Sequence, residues 1–179
     1  MPFDPVSVGL GPCRITYGGE DLGSTKDGTT LTYTPEVFEM TADEFGNTPY
    51  DAVLIGEVVT VTTNLLMSTF TQLQAAMPAG TLITGADSKK KLTFGGATKR
   101  LAALAKELVL HPLELPDEDK SADVTIWKAI AWGNVELAYN LNGERVVPVE
   151  FHALLDTSKP KGEMLFVIGD PAITAGSGS

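Results

Sequence analysis

Residues 18–25, Gly-Gly-Glu-Asp-Leu-Gly-Ser-Thr, are the nearest approach in this chain to a catalytic or ligand-binding motif. Gly18 and Gly23 have the interval of a phosphate-binding loop, in which backbone N–H groups cradle an anion and a lysine reaches its oxygens. Ser24 stands where that lysine belongs, and Glu20 and Asp21 would repel a phosphate. A hairpin tip is the better reading of these glycines. Asp117, Asp119, Ser121 and Asp123 have the opening spacing of a calcium loop, but Ala122 replaces the glycine of the sharp turn and Lys128 takes the place of the bidentate glutamate. A solvated loop fits better. His111 and His152 lack the third partner that a metal site or a catalytic dyad needs. Cys13 has only Arg14 as a neighbouring cation and no helix start to lower its pKa. Trp127 and Trp132 could stack bases, but Lys128 is the one cation between them, so packing in a core or an interface is the stronger reading. No enzymatic constellation emerges, and no cofactor or metal is expected.

The elements that would position these residues follow from periodicity. Residues 29–40 are rich in Thr, Tyr and Val and lie between Asp27-Gly28 and Phe45-Gly46-Asn47-Thr48-Pro49, which predicts a strand. Pro35 cannot donate to a ladder and places that strand at an edge or a bulge. Residues 53–63 alternate Val59, Val61 and Thr63 against Val58, Thr60 and Thr62, a strand half polar on both faces. That pattern suits a sheet with core on one side and a partner or a channel on the other. Asn64 is expected to cap a helix carrying Leu66, Phe70, Leu73 and Met77, ended by Pro78 and Gly80. Further on, residues 81–94 predict a strand and turn around Lys89-Lys90-Lys91. A short turn or helix and a strand follow, up to Pro112. Residues 124–132, 135–141 and 145–155 read as strands, with Asn142-Gly143 as a hairpin turn, and residues 165–168 close the sheet.

The expected fold is therefore mainly β: two packed antiparallel sheets, a sandwich or barrel-like packing, with one principal flanking helix. The 179 residues form a single domain, with a Pro- and Gly-rich arm at 1–13 and a flexible tail at 172–179. No run approaches the length of a membrane span, and the N-terminus lacks the regions of a signal peptide. One cysteine excludes a disulfide framework within the chain, so a soluble protein made in a reducing cytoplasm is expected. With 23 acidic and 13 basic residues the net charge is -10, which disfavours binding to a phosphate backbone. The Lys89-Lys90-Lys91 run is the one dense positive patch, either a solvated hairpin tip or an electrostatic contact to an acidic neighbouring subunit.

An ordered set of turn and strand signatures adds to this. It comprises residues 18–28 (Gly-Gly-Glu-Asp-Leu-Gly-Ser-Thr-Lys-Asp-Gly), Pro35-Glu36, residues 43–51 (Asp-Glu-Phe-Gly-Asn-Thr-Pro-Tyr-Asp), Gly56, and residues 108–112 (Leu-Val-Leu-His-Pro). It ends with Trp127 through Val149-Glu150-Phe151 and Asp156 to Phe166-Val167-Ile168-Gly169-Asp170. In that order, over residues 8–170, the chain resembles the tail tube (major tail) proteins of long-tailed bacteriophages. The resemblance implies a structural virion protein rather than an enzyme, self-assembling into hexameric rings that stack as a hollow tube conducting viral DNA into the host cell.

It also implies that residues 31–42 and 52–63 line the lumen, with Glu36, Glu39, Asp51 and Glu57 as its acidic groups. The loop 18–28 (Gly18, Gly19, Glu20, Asp21, Leu22, Gly23, Lys26, Asp27), together with Lys89, Lys90 and Lys91, would contact neighbouring subunits or rings. The implied partners are further copies of the chain, a tape measure protein, a tail terminator, baseplate or tip proteins, and a sheath protein in a contractile tail. DNA would pass without specific binding, no membrane is involved, and the protein would reside in the virion tail after assembly in the host cytoplasm. The inner tube of a related contractile injection or secretion apparatus, and a small-molecule-binding β-sandwich, are the alternatives.

Overall fold

The structure, a computed structural model, describes residues 11–66, 69–96, 98–137, 139 and 144–173. The expected Asn142-Gly143 turn, residues 1–10 of the arm and residues 174–179 of the tail lie outside these. The fold is mainly β, with one α-helix and two antiparallel sheets. In chain order the strands are β1 (Cys13–Tyr17), β2 (Glu20–Asp21), β3 (Thr25–Thr41), β4 (Pro49–Leu66), β5 (Thr81–Thr84), β6 (Lys90–Thr93), β7 (Lys106–Pro112), β8 (Val124–Ala131), β9 (Val146–Leu154) and β10 (Phe166–Ile168). Helix α1 (Phe70–Ala76) follows β4, and short 3-10 turns occupy Asp43–Phe45 and Leu101–Ala103.

The large sheet runs β2-β1-β7-β8-β9-β4-β3, with β10 also paired to β8, while β5 and β6 form a separate two-stranded hairpin. Strands β2 and β3 stand at opposite ends of this order, yet only Leu22, Gly23 and Ser24 join them in sequence. So few residues span roughly 14 Å at most, so the sheet must curl until its two edges nearly meet. The curl brings Tyr17 of β1 against Phe151 of β9, ring centroids 5.1 Å apart, although two strands separate them in the sheet.

Inside the curl lies one apolar cluster, in which Ile15, Leu22, Val59, Val61, Leu65, Leu108, Ile126, Val147 and Phe151 are all but inaccessible to solvent. Burial of the Tyr17 side chain pushes its hydroxyl pKa up to about 12, and that hydroxyl donates to the Ala129 carbonyl at 3.1 Å. Alternation explains the selection. On β4 the odd residues from Val59 to Leu65 face the core, and their partners on β9 (Phe151, Val149, Val147) share that face.

The helix starts later than its apolar spacing predicts. Asn64 does not cap it: β4 stays extended to Leu66, held by pairing of Thr60–Leu66 with Val146–His152. Thr69 is the N-cap, in a capping box with Gln72. Gln72 also donates through Nε2 to the Leu22 carbonyl, tying the helix to the seam between the sheet edges. Residues 132–137 form no strand, in contrast to the expectation from Val135 and Leu137, although both pack on the core.

The Leu22 side chain fills this seam. Leu22→Ala is expected to lower the unfolding free energy by about 2–5 kcal/mol, measured by urea denaturation. The same truncation at exposed Leu113 should change it by less than about 0.5 kcal/mol.

Candidate assembly surface

The residues with possible chemistry are satisfied one by one by the fold. Gly18 and Gly19, both at positive φ (60° and 85°), make the two-residue turn between β1 and β2. A Cβ on Gly18 would lie 2.5 Å from Lys106 Cδ, so the turn sits closely on β7. The next turn fills its own donor: Gly23 N–H donates to Asp21 Oδ1 at 2.7 Å, where a phosphate loop would leave that N–H for an anion.

The carboxylates of the calcium-like segment diverge. Asp117 pairs with Arg14 at 2.9 Å, which lowers the Asp117 pKa below its ordinary value. Asp119 accepts from Ser121 N–H at 3.0 Å. Asp123 is buried beside His111, whose Nδ1–H donates to Asp123 Oδ1 at 2.6 Å. His152 lies elsewhere, on β9, stacked on Trp132 at 4.0 Å with Glu150 3.5 Å from its Nε2. Trp127 donates from Nε1 to the Glu163 carbonyl and carries the Lys159 ammonium 3.6 Å above its ring. Cys13, half-buried on β1, stands opposite Pro112. Among the described residues no group of three His, Cys, Asp or Glu converges.

The expected loop 18–28 is not one long hairpin. It is the tight turn at 18–19, the short β2, the buried plug Leu22, and a bulge at Asp27-Gly28 within the β3–β4 ladder. Leu22 is therefore core and is withdrawn from any contact surface, whereas Glu20, Asp21, Gly23 and Asp27 remain exposed. Lys26 holds Glu144 at 2.8 Å, an exposed pair that raises the lysine pKa and lowers that of the glutamate, chiefly through their hydrogen bond. Lys89, Lys90 and Lys91 are exposed at the turn and on β6 of the small hairpin.

The unusual surface is the β3–β4 ribbon. At roughly 3.3 Å per residue, the 18 residues of β4 span about 60 Å. A compact domain of this size has a radius of gyration near ~16 Å, so such a strand outruns the core. Core contact stops at Val59, which has no exposure, and beyond it apolar side chains stand in solvent: Val37 51%, Phe38 57%, Leu54 52% and Ile55 66% exposed. On β4, strand β9 pairs with Thr60–Leu66 alone, so Pro49–Val59 has β3 as its one ladder partner among the described residues. The outer edge of β3 has none.

Register divides the four acidic candidates. Glu57 pairs with Pro35, and its Oε1 accepts from Tyr33 O–H at 2.8 Å, a bond that raises the tyrosine pKa. Glu36 pairs with Gly56 and so lies on the other face. Ile55 is an extra residue on β4, after which Val37 meets Leu54 and Asp51 meets Met40. Glu39 thus shares the face of Glu57, and Asp51 shares that of Glu36. The first face continues into the core through Val59 and Val61; the second continues into Thr30, Thr32, Thr34 and Thr62, all exposed. The four acids therefore cannot line one surface together.

A cleft of about 380 Å³ opens at the base of this ribbon between Thr30, Thr62, Asn64, Trp132 and Glu150. Its acids are Asp27 and Glu150, and the latter lies against His152. Among the described residues no helix is long and apolar enough to cross a membrane. No protein-family model matches the chain, and no curated protein matches it.

Among the described residues, His111–Asp123 is the most buried pairing of two ionisable side chains. Asp123→Ala should cost about 1–3 kcal/mol in urea denaturation, since it leaves the buried Nδ1 of His111 without its partner. Removing the exposed Arg14–Asp117 pair through Asp117→Ala should leave the urea midpoint nearly unchanged, because solvent screens the pair.

Proposed function

We propose that this chain is a structural subunit that assembles with copies of itself into rings, stacked as the hollow tube of a bacteriophage tail, through which DNA passes without specific binding. The observation that carries this reading is the β3–β4 ribbon, which has apolar side chains exposed on both faces and, among the described residues, two backbone edges without a strand partner. A ribbon in that state is stable in isolation only at the expense of exposed apolar area, and its edges invite strand pairing. Pairing the β3 edge of one copy with the free part of β4 in the next satisfies both edges at once and closes into a ring.

The division of faces also favours an orientation. The face of Glu39 and Glu57 runs into the core, so it belongs to the body side of the wall. The face of Glu36, Asp51 and the exposed threonines would then line the lumen. Hydroxyls and a few carboxylates suit a channel for a polyanion, because they hydrate the wall without holding phosphate. The net charge of -10 works in the same direction.

Purified protein viewed by negative-stain electron microscopy, with sedimentation velocity alongside, should show rings or tubes. A sample that stays monomeric at high concentration argues against the proposal. Val37→Glu combined with Leu54→Lys should block assembly while leaving the thermal midpoint nearly unchanged, because both side chains are exposed in the free subunit, make no core contact, and as a cross-strand pair would carry opposite charges.

A further inference from the structure

Two oppositely charged projections of this chain stand at opposite ends of one long strand. Strand β4 begins at the ribbon tip with Pro49 and ends at Leu66; α1 follows from Phe70, and the β5–β6 hairpin packs on α1. The lysine hairpin therefore lies at the base end of β4 and the ribbon tip at the other, roughly 60 Å of strand away.

The tip carries Asp43, Glu44 and Asp51 beside the exposed rings of Phe45 and Tyr50, which are 61% and 63% accessible and form a shallow apolar depression with Pro49. The hairpin carries Lys89, Lys90 and Lys91, with Asp87 as the acid in its turn and Ile83 exposed beside the lysines. One patch is acidic and aromatic, the other basic and aliphatic. Ammonium groups meeting carboxylates and aromatic faces together gain both ion pairing and cation–π attraction.

The geometry points to a head-to-tail contact in which the ribbon tip of one copy docks on the lysine hairpin of another. Between copies that point the same way, as in successive rings, one docking uses the tip of one copy and the hairpin of the other. Each docking leaves one tip and one hairpin free, so the contact repeats and builds an open stack. It is separate from the lateral edge-to-edge pairing of strands, and it gives the long net-acidic chain a use for its one dense run of lysines. It rests on the self-assembly reading and adds the axial contact.

The test is charge reversal in the full chain, read by sedimentation velocity and by tube length in electron micrographs. Lys89→Glu, Lys90→Glu and Lys91→Glu together should reduce the long assemblies by about tenfold or more, as should Asp43→Lys with Glu44→Lys, because each sets like charges against each other. The five substitutions combined restore opposite charges and should restore the stack, which also shows that the reversed surfaces fold. Raising salt to about 1 M, where screening acts within about 3 Å, should shorten wild-type stacks. Single-patch variants that stack like wild type, or a combined variant that fails to recover, would overturn the contact while leaving ring formation intact. Lysine variants that stack normally but lose retention on DNA would overturn it in favour of nucleic-acid binding. A wild-type chain that never leaves the monomer overturns the assembly reading and this contact with it.

Discussion

The β3–β4 ladder keeps its backbone pairing for a full strand length after side-chain burial has ended, and this mismatch governs the molecule. Pairing runs from Thr25–Leu65 to Thr41–Pro49, but core contact reaches only as far out as Val59. Near the base every second residue gains from both the ladder and the core. Beyond it the ladder alone holds the ribbon, and two-stranded ribbons without a packed face are marginal in water. The base is consequently over-determined by the curl of the sheet, the Leu22 seam and the Gln72 tie. That rigid base allows the outer half to be presented in one conformation.

Charge distribution follows the same division. The curled body has its buried polar groups matched, as with His111 and Asp123 or Tyr17 and the Ala129 carbonyl. The ribbon instead spaces single carboxylates along both faces, none facing a like charge directly across the ladder. Glu36 meets Gly56, Glu39 meets Ala52, Asp51 meets Met40 and Glu57 meets Pro35. Direct cross-strand repulsion is therefore absent, while the summed field still repels polyanions and discourages unordered association between ribbons.

Strand positions were legible in the sequence wherever one face alternated strictly, as on β4 from Val58 to Thr63. Pro35, which called for an edge or a bulge, lies on β3 at the end of the strand order. The helix start was not legible. Asn64 is a good capping residue and Leu66, Phe70, Leu73 and Met77 keep helical spacing, but a non-local ladder with β9 holds residues 60–66 extended. The Thr69–Gln72 capping box was the available local signal. For the candidate surface, the obstacle was one residue. Asp51 and Glu57 have the same parity, so alternation alone puts them on one face, and the bulge at Ile55 reverses that. A bulge of this kind leaves no mark in residue type here, since isoleucine is an ordinary strand residue.

A ribbon so exposed would be an aggregation hazard if any strand could add to it, yet its edge is interrupted in ways that make random addition poor. Pro35 withholds a donor from the β3 edge, and irregularities between Lys26 and Thr29, Glu36 and Val37, and Met40 and Thr41 break the ladder into short registers. A flat, generic strand cannot match those breaks. In the proposed self-pairing, a neighbouring copy would offer the free part of its own β4, which carries the extra residue at Ile55. The irregularities that blunt the edge against strangers would then also restrict the register of self-pairing, so protection and assembly would not compete for the same residues.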